Sequence, residues 1–186
     1  MPIPYSCNSN TMRLSLYEKL IAQGFDNFES NFVLGLCYEN QPNKEEALKH
    51  YKKAVQFKSD NATCLFHLAL AEKALNMDSL SMAHFNQSLE VSLPKDRALR
   101  TYKWLADLHF QHSRYADAAR DFELCILYDE EDDPLNYYNA AQMFIASKNK
   151  LKAKLYLQLF LANANRLEDK KEAAQLISKA KEQLKQ

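Results

Sequence analysis

Glu46-Ala47-Leu48-Lys49-His50-Tyr51-Lys52-Lys53-Ala54 returns 34 residues later as Leu80-Ser81-Met82-Ala83-His84-Phe85-Asn86-Gln87-Ser88. A small residue, a histidine, an aromatic and a second small residue keep register in both stretches. A third copy runs Asp117-Ala118-Ala119-Arg120-Asp121-Phe122-Glu123-Leu124-Cys125. A looser fourth starts at Lys152-Ala153-Lys154-Leu155-Tyr156-Leu157 and reaches Phe160. The first copy has an upstream partner, Phe32-Val33-Leu34-Gly35-Leu36-Cys37-Tyr38. A period of this length marks stacked two-helix units, none of which buries its apolar face alone. Small residues on the second helix let the first approach closely, and large residues opposite fill the gap.

Composition agrees with a helical, folded chain. Of 186 residues 47% are hydrophobic and the formal net charge is zero, which separates the chain from disordered sequences. Only two glycines occur, Gly24 and Gly35, where average usage of roughly 7% would give about 13. Neither a P-loop nor a dinucleotide fingerprint can be built without more. The five prolines leave long stretches rich in Ala, Leu, Lys, Glu and Gln, which are good helix formers. No apolar run approaches the roughly 20 residues that cross a bilayer, and the first residues lack the pattern of a secretory signal. Cys7, Cys37, Cys64 and Cys125 form no C-x-x-C pair, which argues against a zinc site or disulfide framework and fits a reducing, cytoplasmic setting.

These residues carry a family resemblance. The chain resembles tetratricopeptide-repeat (TPR) proteins, whose unit reads W-x2-L-G-x2-Y…A-x3-F…P. The unit from Phe28 matches at Leu34, Gly35, Tyr38, Ala47, Tyr51 and Ala54. The unit from Ala62 matches at Leu65, Leu68, Ala69, Ser81, Phe85 and Ser88. After three inserted residues, the unit from Leu99 supplies Tyr102, Leu105, Ala106, Ala118, Phe122 and Cys125. The unit from Pro134 supplies Tyr137, Ala140, Ala141, Phe144, Ala153 and Leu157. The fold class implied is all-α, an α-solenoid of tandem helix-turn-helix repeats. The expected organisation is an N-terminal segment, 1–27, with a half-repeat helix near 12–23; four repeats, 28–167; and a capping helix, 168–186. The cap is read from Ala173, Leu176, Ile177, Ala180 and Leu184, one apolar stripe at helical spacing. The closing proline of the unit is absent, and Phe160 replaces a small residue, so the last repeat needs a partner other than another standard unit.

Several constellations have plainer readings than chemistry. His109 and His112 share a helix near Asp107, but His109 holds the motif's tyrosine position and is expected to pack in the core. No cysteine stands beside a histidine at helical spacing, so no nucleophile and base pair forms. The run Asp129-Glu130-Glu131-Asp132-Asp133 lacks the glycine and spaced ligands of a calcium loop and reads as a helix cap before Pro134. No catalytic residue, metal or cofactor is expected. Between Leu105 and Asp133 stand nine acidic and two basic residues, and from Ser147 onward ten basic and four acidic. The basic residues gather in one turn and the cap and do not track the array, which argues against nucleic acid.

The resemblance places first helices along a concave groove, at unit positions 2, 5, 6, 9, 12 and 13. Those positions hold Phe32, Val33 and Leu36; Phe66, His67 and Leu70; Lys103, Trp104, Asp107 and Phe110; and Tyr138, Asn139 and Gln142. An aromatic in every unit, including the only tryptophan, suits a surface that binds a protein or peptide. The alternative is that these rings are core. The expected partner groups are Phe32, Leu36, Phe66, His67, Lys103, Trp104, Asp107, Tyr138, Asn139 and Gln142. Some family members clamp a chaperone's C-terminal carboxylate. Lys103 and Asn139 match two clamp positions, but Asp107 replaces an asparagine and would repel that carboxylate. The expected function is thus a non-enzymatic interaction scaffold. Its alternatives are a small chaperone similar to the TPR chaperones of type III secretion, or a homo-oligomeric assembly subunit.

Overall fold

A computed structural model describes residues 5–185, with side chains from Asn10 onward; Cys7 lies outside the described side chains. Among the described residues every regular element is helical. α1 spans Tyr5–Ala22, longer than the helix expected there. Pairs follow: α2 (Phe28–Glu39) with α3 (Lys44–Phe57), and α4 (Ala62–Ala74) with α5 (Asp78–Glu90). Then come α6 (Lys95–Gln111) with α7 (Tyr115–Tyr128), and α8 (Pro134–Ala146) with α9 (Lys150–Asn163). A 3-10 turn over Ala164–Arg166 leads to α10 (Lys170–Gln183), the capping helix.

Asx side chains start most of the first helices. Asn27, Asn61 and Asp133 accept the backbone N–H of Ser30, Cys64 and Leu135, each at 2.9 Å, and Asp169 caps α10 in the same way. Each such cap satisfies an N–H that the helix itself leaves open. The turns inside the helix pairs share another device. Asn76, Ser113 and Lys148 take positive φ (57°, 58° and 62°) at matched places. The next N–H in each case reaches back to a carbonyl of the first helix: Met77 to Glu72, Arg114 to His109 and Asn149 to Phe144, at 2.8–2.9 Å. This is the Schellman closure that glycine usually serves, built here on other residues in a chain with two glycines.

The chain divides into two compact units, with the break between Leu93 and Pro94. The division falls where the 34-residue register is interrupted by three inserted residues. In the first unit, Phe28, Tyr51, Ala54, Cys64, Leu68 and Ala71 form the core, with Phe32, Leu36 and Tyr38 packed against it. α1 is tied on by Asn10 donating to the Cys37 carbonyl (3.1 Å) and by Tyr38 donating to Glu18 (2.7 Å). In the second unit, Ala119, Phe144 and Ala153 join α7 to α8 and α9. Phe160, the large residue at a small-residue place, is fully buried among Ala141, Leu157 and Ala180, with Leu176, Ile177 and Leu184 of the cap beside it.

Two helices approach closely at Gly35. A Cβ there would lie 2.9 Å from Cζ of Tyr51 and closer still to Cδ1 and Cε1. Two substitutions should therefore run against ordinary helix propensity. Gly35→Ala, usually favourable in a helix, should cost about 1–3 kcal/mol because the buried Tyr51 ring cannot withdraw. Ser113→Gly should gain roughly 0.5–1 kcal/mol by relieving a left-handed residue at an exposed turn. Urea unfolding measures both, and a Gly35→Ala protein as stable as the parent would disprove the close approach.

Candidate functional site

In the first unit the expected groove residues come from α2 and α4. Phe32 stacks on Phe28 (ring centroids 5.6 Å, 11°) and meets His67 edge-on at 5.8 Å. His67 lies against the Tyr51 ring at 5.7 Å, and its Nδ1 is 2.9 Å from Oε2 of Glu39. The same oxygen accepts the Tyr51 hydroxyl. Burial raises the Glu39 carboxyl, but these two hydrogen bonds and the charges of His67 and Lys44 outweigh it and hold it below its ordinary value. Glu39 stands at unit position 12 but was not among the groove residues expected from sequence. Phe32, Leu36 and His67 are all half-buried.

Phe66 departs from expectation. It is 2% exposed, held between Phe85 (6.0 Å) and His67 (5.4 Å, 83°). A residue with no surface offers nothing to a partner, so Phe66 is core. The register places it on a groove position, but the ring of Phe85 on α5 takes it inward.

In the second unit, α6 carries Lys103 and Asp107, both exposed and one turn apart, beside the half-buried Trp104. Phe110, next along that face, is 51% exposed. On α8, Tyr138 and Asn139 are half-buried, and the Tyr138 ring rests on Phe160 at 5.0 Å. Gln142 is already engaged. Its amide exchanges two hydrogen bonds with Gln183 of α10, each 3.0 Å, and so fastens the cap. Among the described residues no three ligating side chains gather to hold a metal ion, and no helix is long and apolar enough to cross a membrane.

No protein-family model matches the sequence, and no curated protein does. Solved structures do match. MamA superposes with a TM-score of 0.70 at 15% identity, over 89% of this chain and 96% of that one. PilF of Pseudomonas aeruginosa gives 0.63 at 14% identity, over 95% and 87%. The C-terminal part of a TPR repeat-containing protein from Cytophaga hutchinsonii gives 0.65 at 14%, over 84% and 60%. The fold is the tetratricopeptide-repeat fold.

Each TPR unit also carries a matched pair, one residue at position 11 of the first helix and one on the second. The Tyr38 and His50 rings stack at 5.6 Å and 3°. Glu72 accepts from His84 at 2.7 Å. His109 and Asp121 meet at 2.6 Å. Phe144 and Tyr156 stack at 5.5 Å and 14°. One geometric slot thus holds ring pairs in the outer repeats and acid–histidine pairs in the inner two. Glu72 is fully buried, and its Oε1 has no hydrogen-bond partner among the described residues. Burial pushes the Asp121 carboxyl up to about 6 from 3.8, against the lowering effect of His109. Neither acid was singled out from sequence, although both stand in register with a histidine partner.

A stability profile follows from Asp121. Well below pH 3.8 folded and unfolded chains both hold its proton, while between 3.8 and about 6 the folded chain keeps it and the unfolded chain gives it up. The stabilising contribution is therefore complete at low pH and is lost as pH rises through about 6. Relative to Asp121→Asn, the wild type should lose unfolding free energy across that window. A difference that stays flat with pH would show that His109 keeps the carboxylate ionised instead.

Proposed function

We propose that this chain is a non-enzymatic protein-interaction scaffold, whose first helices take an extended or helical segment of another protein. The observation that carries this reading is the character of the groove positions assigned by the repeat register, taken unit by unit. In the first unit Phe32 is a half-buried ring with half-buried His67 beside it; in the second, Trp104 and Tyr138 are half-buried rings, Lys103 and Asp107 are exposed and Asn139 is half-buried. A half-buried ring can desolvate further against a partner, and the neighbouring polar groups fix register. Aromatic anchors of this kind dominate binding energy in many interfaces.

Self-association is a second reading. It is favoured by Leu127 and Leu151 in the second unit, which are 76% and 82% exposed. Sedimentation across a salt series tests it: association through such leucines survives high salt, whereas charge-driven association weakens.

The scaffold reading is tested on a partner recovered by cross-linking and mass spectrometry, then titrated calorimetrically. Trp104→Ala should cost about 2 kcal/mol or more of binding with little change in melting temperature. Phe66→Ala is the contrast, since loss of a buried ring costs roughly 3–5 kcal/mol of stability. A Trp104→Ala protein that melts as early as Phe66→Ala, or that binds as well as the parent, would remove the groove.

A further inference from the structure

The second unit has a pocket that belongs to none of the groove residues proposed above. It lies where the end of α8, the first half of α9 and the end of α10 meet, with a volume of about 430 Å³. That size falls within the roughly 300–1,000 Å³ usual for ligand sites. Ile145, Leu157 and Leu184 supply apolar walls, and Ile145 is 40% exposed. Lys148, Lys150 and Lys154 stand around it, and no carboxylate lines it. Their neighbour Lys152 is paired with Glu123 at 2.8 Å, but no ion pair joins these three lysines to a described acid.

The repeat offers a comparison for its charged rim. One unit earlier, the stacked rings of Phe144 and Tyr156 cover Ala119 and Ala153. Moved on by 34 residues, the place of Phe144 falls to Ser178, which carries no ring. Lys154 stands at the register place of the buried Ala119. The pocket thus has a lysine on its rim at a register place that is a buried alanine one unit earlier.

We propose that this pocket docks a peptide segment of a partner protein, an apolar anchor side chain flanked by Asp or Glu. The anchor fills the apolar space between Ile145, Leu157 and Leu184, and the flanking carboxylates meet Lys148, Lys150 and Lys154. Like charge excludes a basic-flanked segment, so the rim selects as well as attracts.

The test uses the full chain and two synthetic peptides, each with a central Leu-x-x-Leu, one flanked by Glu and one by Lys. In amide NMR titrations the Glu-flanked peptide should shift residues 145–157 and 183–184, and the Lys-flanked peptide should leave them in place. Lys148→Glu/Lys150→Glu/Lys154→Glu changes only exposed side chains, so its fold can be checked by its spectrum. That variant should weaken the Glu-flanked peptide about tenfold or more, three exposed pairs being worth a few tenths to one kcal/mol each, and should gain the Lys-flanked one. The proposal fails if the Glu-flanked peptide leaves these amides unmoved, shifts them equally in the variant, or is outdone there by a simple fatty carboxylate such as laurate. Trp104→Ala should leave this titration unchanged, which keeps its outcome separate from that of the groove.

Discussion

Everything in this fold depends on how closely two helices of a pair can approach. A first helix offers Gly35, Ala69, Ala106 or Ala141 at one matched place, all buried. The second helix answers with Tyr51, Phe85, Phe122 or Leu157, bracketed by Ala47, Ser81, Ala118 or Ala153. The small residue sets the distance and the large one fills it, so volume is conserved across the pair although neither side is constant. Packing at this density leaves no tolerance for one extra methyl where the backbone is nearest. At Gly35 the facing side chain is also held at its far end, because the Tyr51 hydroxyl donates to Glu39. The ring can neither rotate out nor slide.

That approach creates the second constraint. Position 11 lies one turn beyond the small residue, so whatever stands there is pressed against the second helix. Stacked rings meet the demand in the outer repeats. An acid–histidine pair meets it in the inner two, where a buried carboxylate must find a donor to offset its lost hydration. Removing one member would leave the other buried and unpaired, which costs more than the pair contributes. The slot therefore tolerates paired exchange more readily than single substitution.

The repeat was legible in the sequence because its signal is geometric: small and large residues recur at 34, and the helices follow. The acidic cap before Pro134 was read from sequence and Asp133 fills it, whereas the caps Asn27 and Asn61 were not singled out, although each stands directly before the helix it starts. The site was less legible. Position numbering says which side of a first helix a residue occupies, but not how deep it lies. Phe66 and Phe32 hold the same unit position, yet only Phe66 is swallowed, because its neighbour on α5 is another ring. Gln142 was assigned to a partner but is held by Gln183, a contact 41 residues away that no local pattern announces.

The acidic run was read from sequence as a helix cap, and Asp133 serves as one; how the charges are placed bears on how partners are chosen. The acidic run before α8 looks like a patch, but its members are largely occupied. Asp129 accepts the N–H groups of Glu131 and Asp133 and the Asn136 amide, and Asp133 caps Leu135. Asp132 pairs with Arg166 at 2.7 Å and accepts from Tyr137, while Glu130 reaches Lys95 at 3.2 Å. These carboxylates shape the α7–α8 connection, and a partner would have to displace existing bonds to use them. The lysines at the α8–α9 turn have no such duty. Equal numbers of acids and bases in the chain therefore do not give an electrically neutral surface for recognition. With the acids of this run held in local structure, the α8–α9 lysines are left around an apolar opening that no carboxylate lines. In the docking proposed for that opening, long-range attraction and short-range burial act at one place, a combination that favours both fast encounter and a fixed seat.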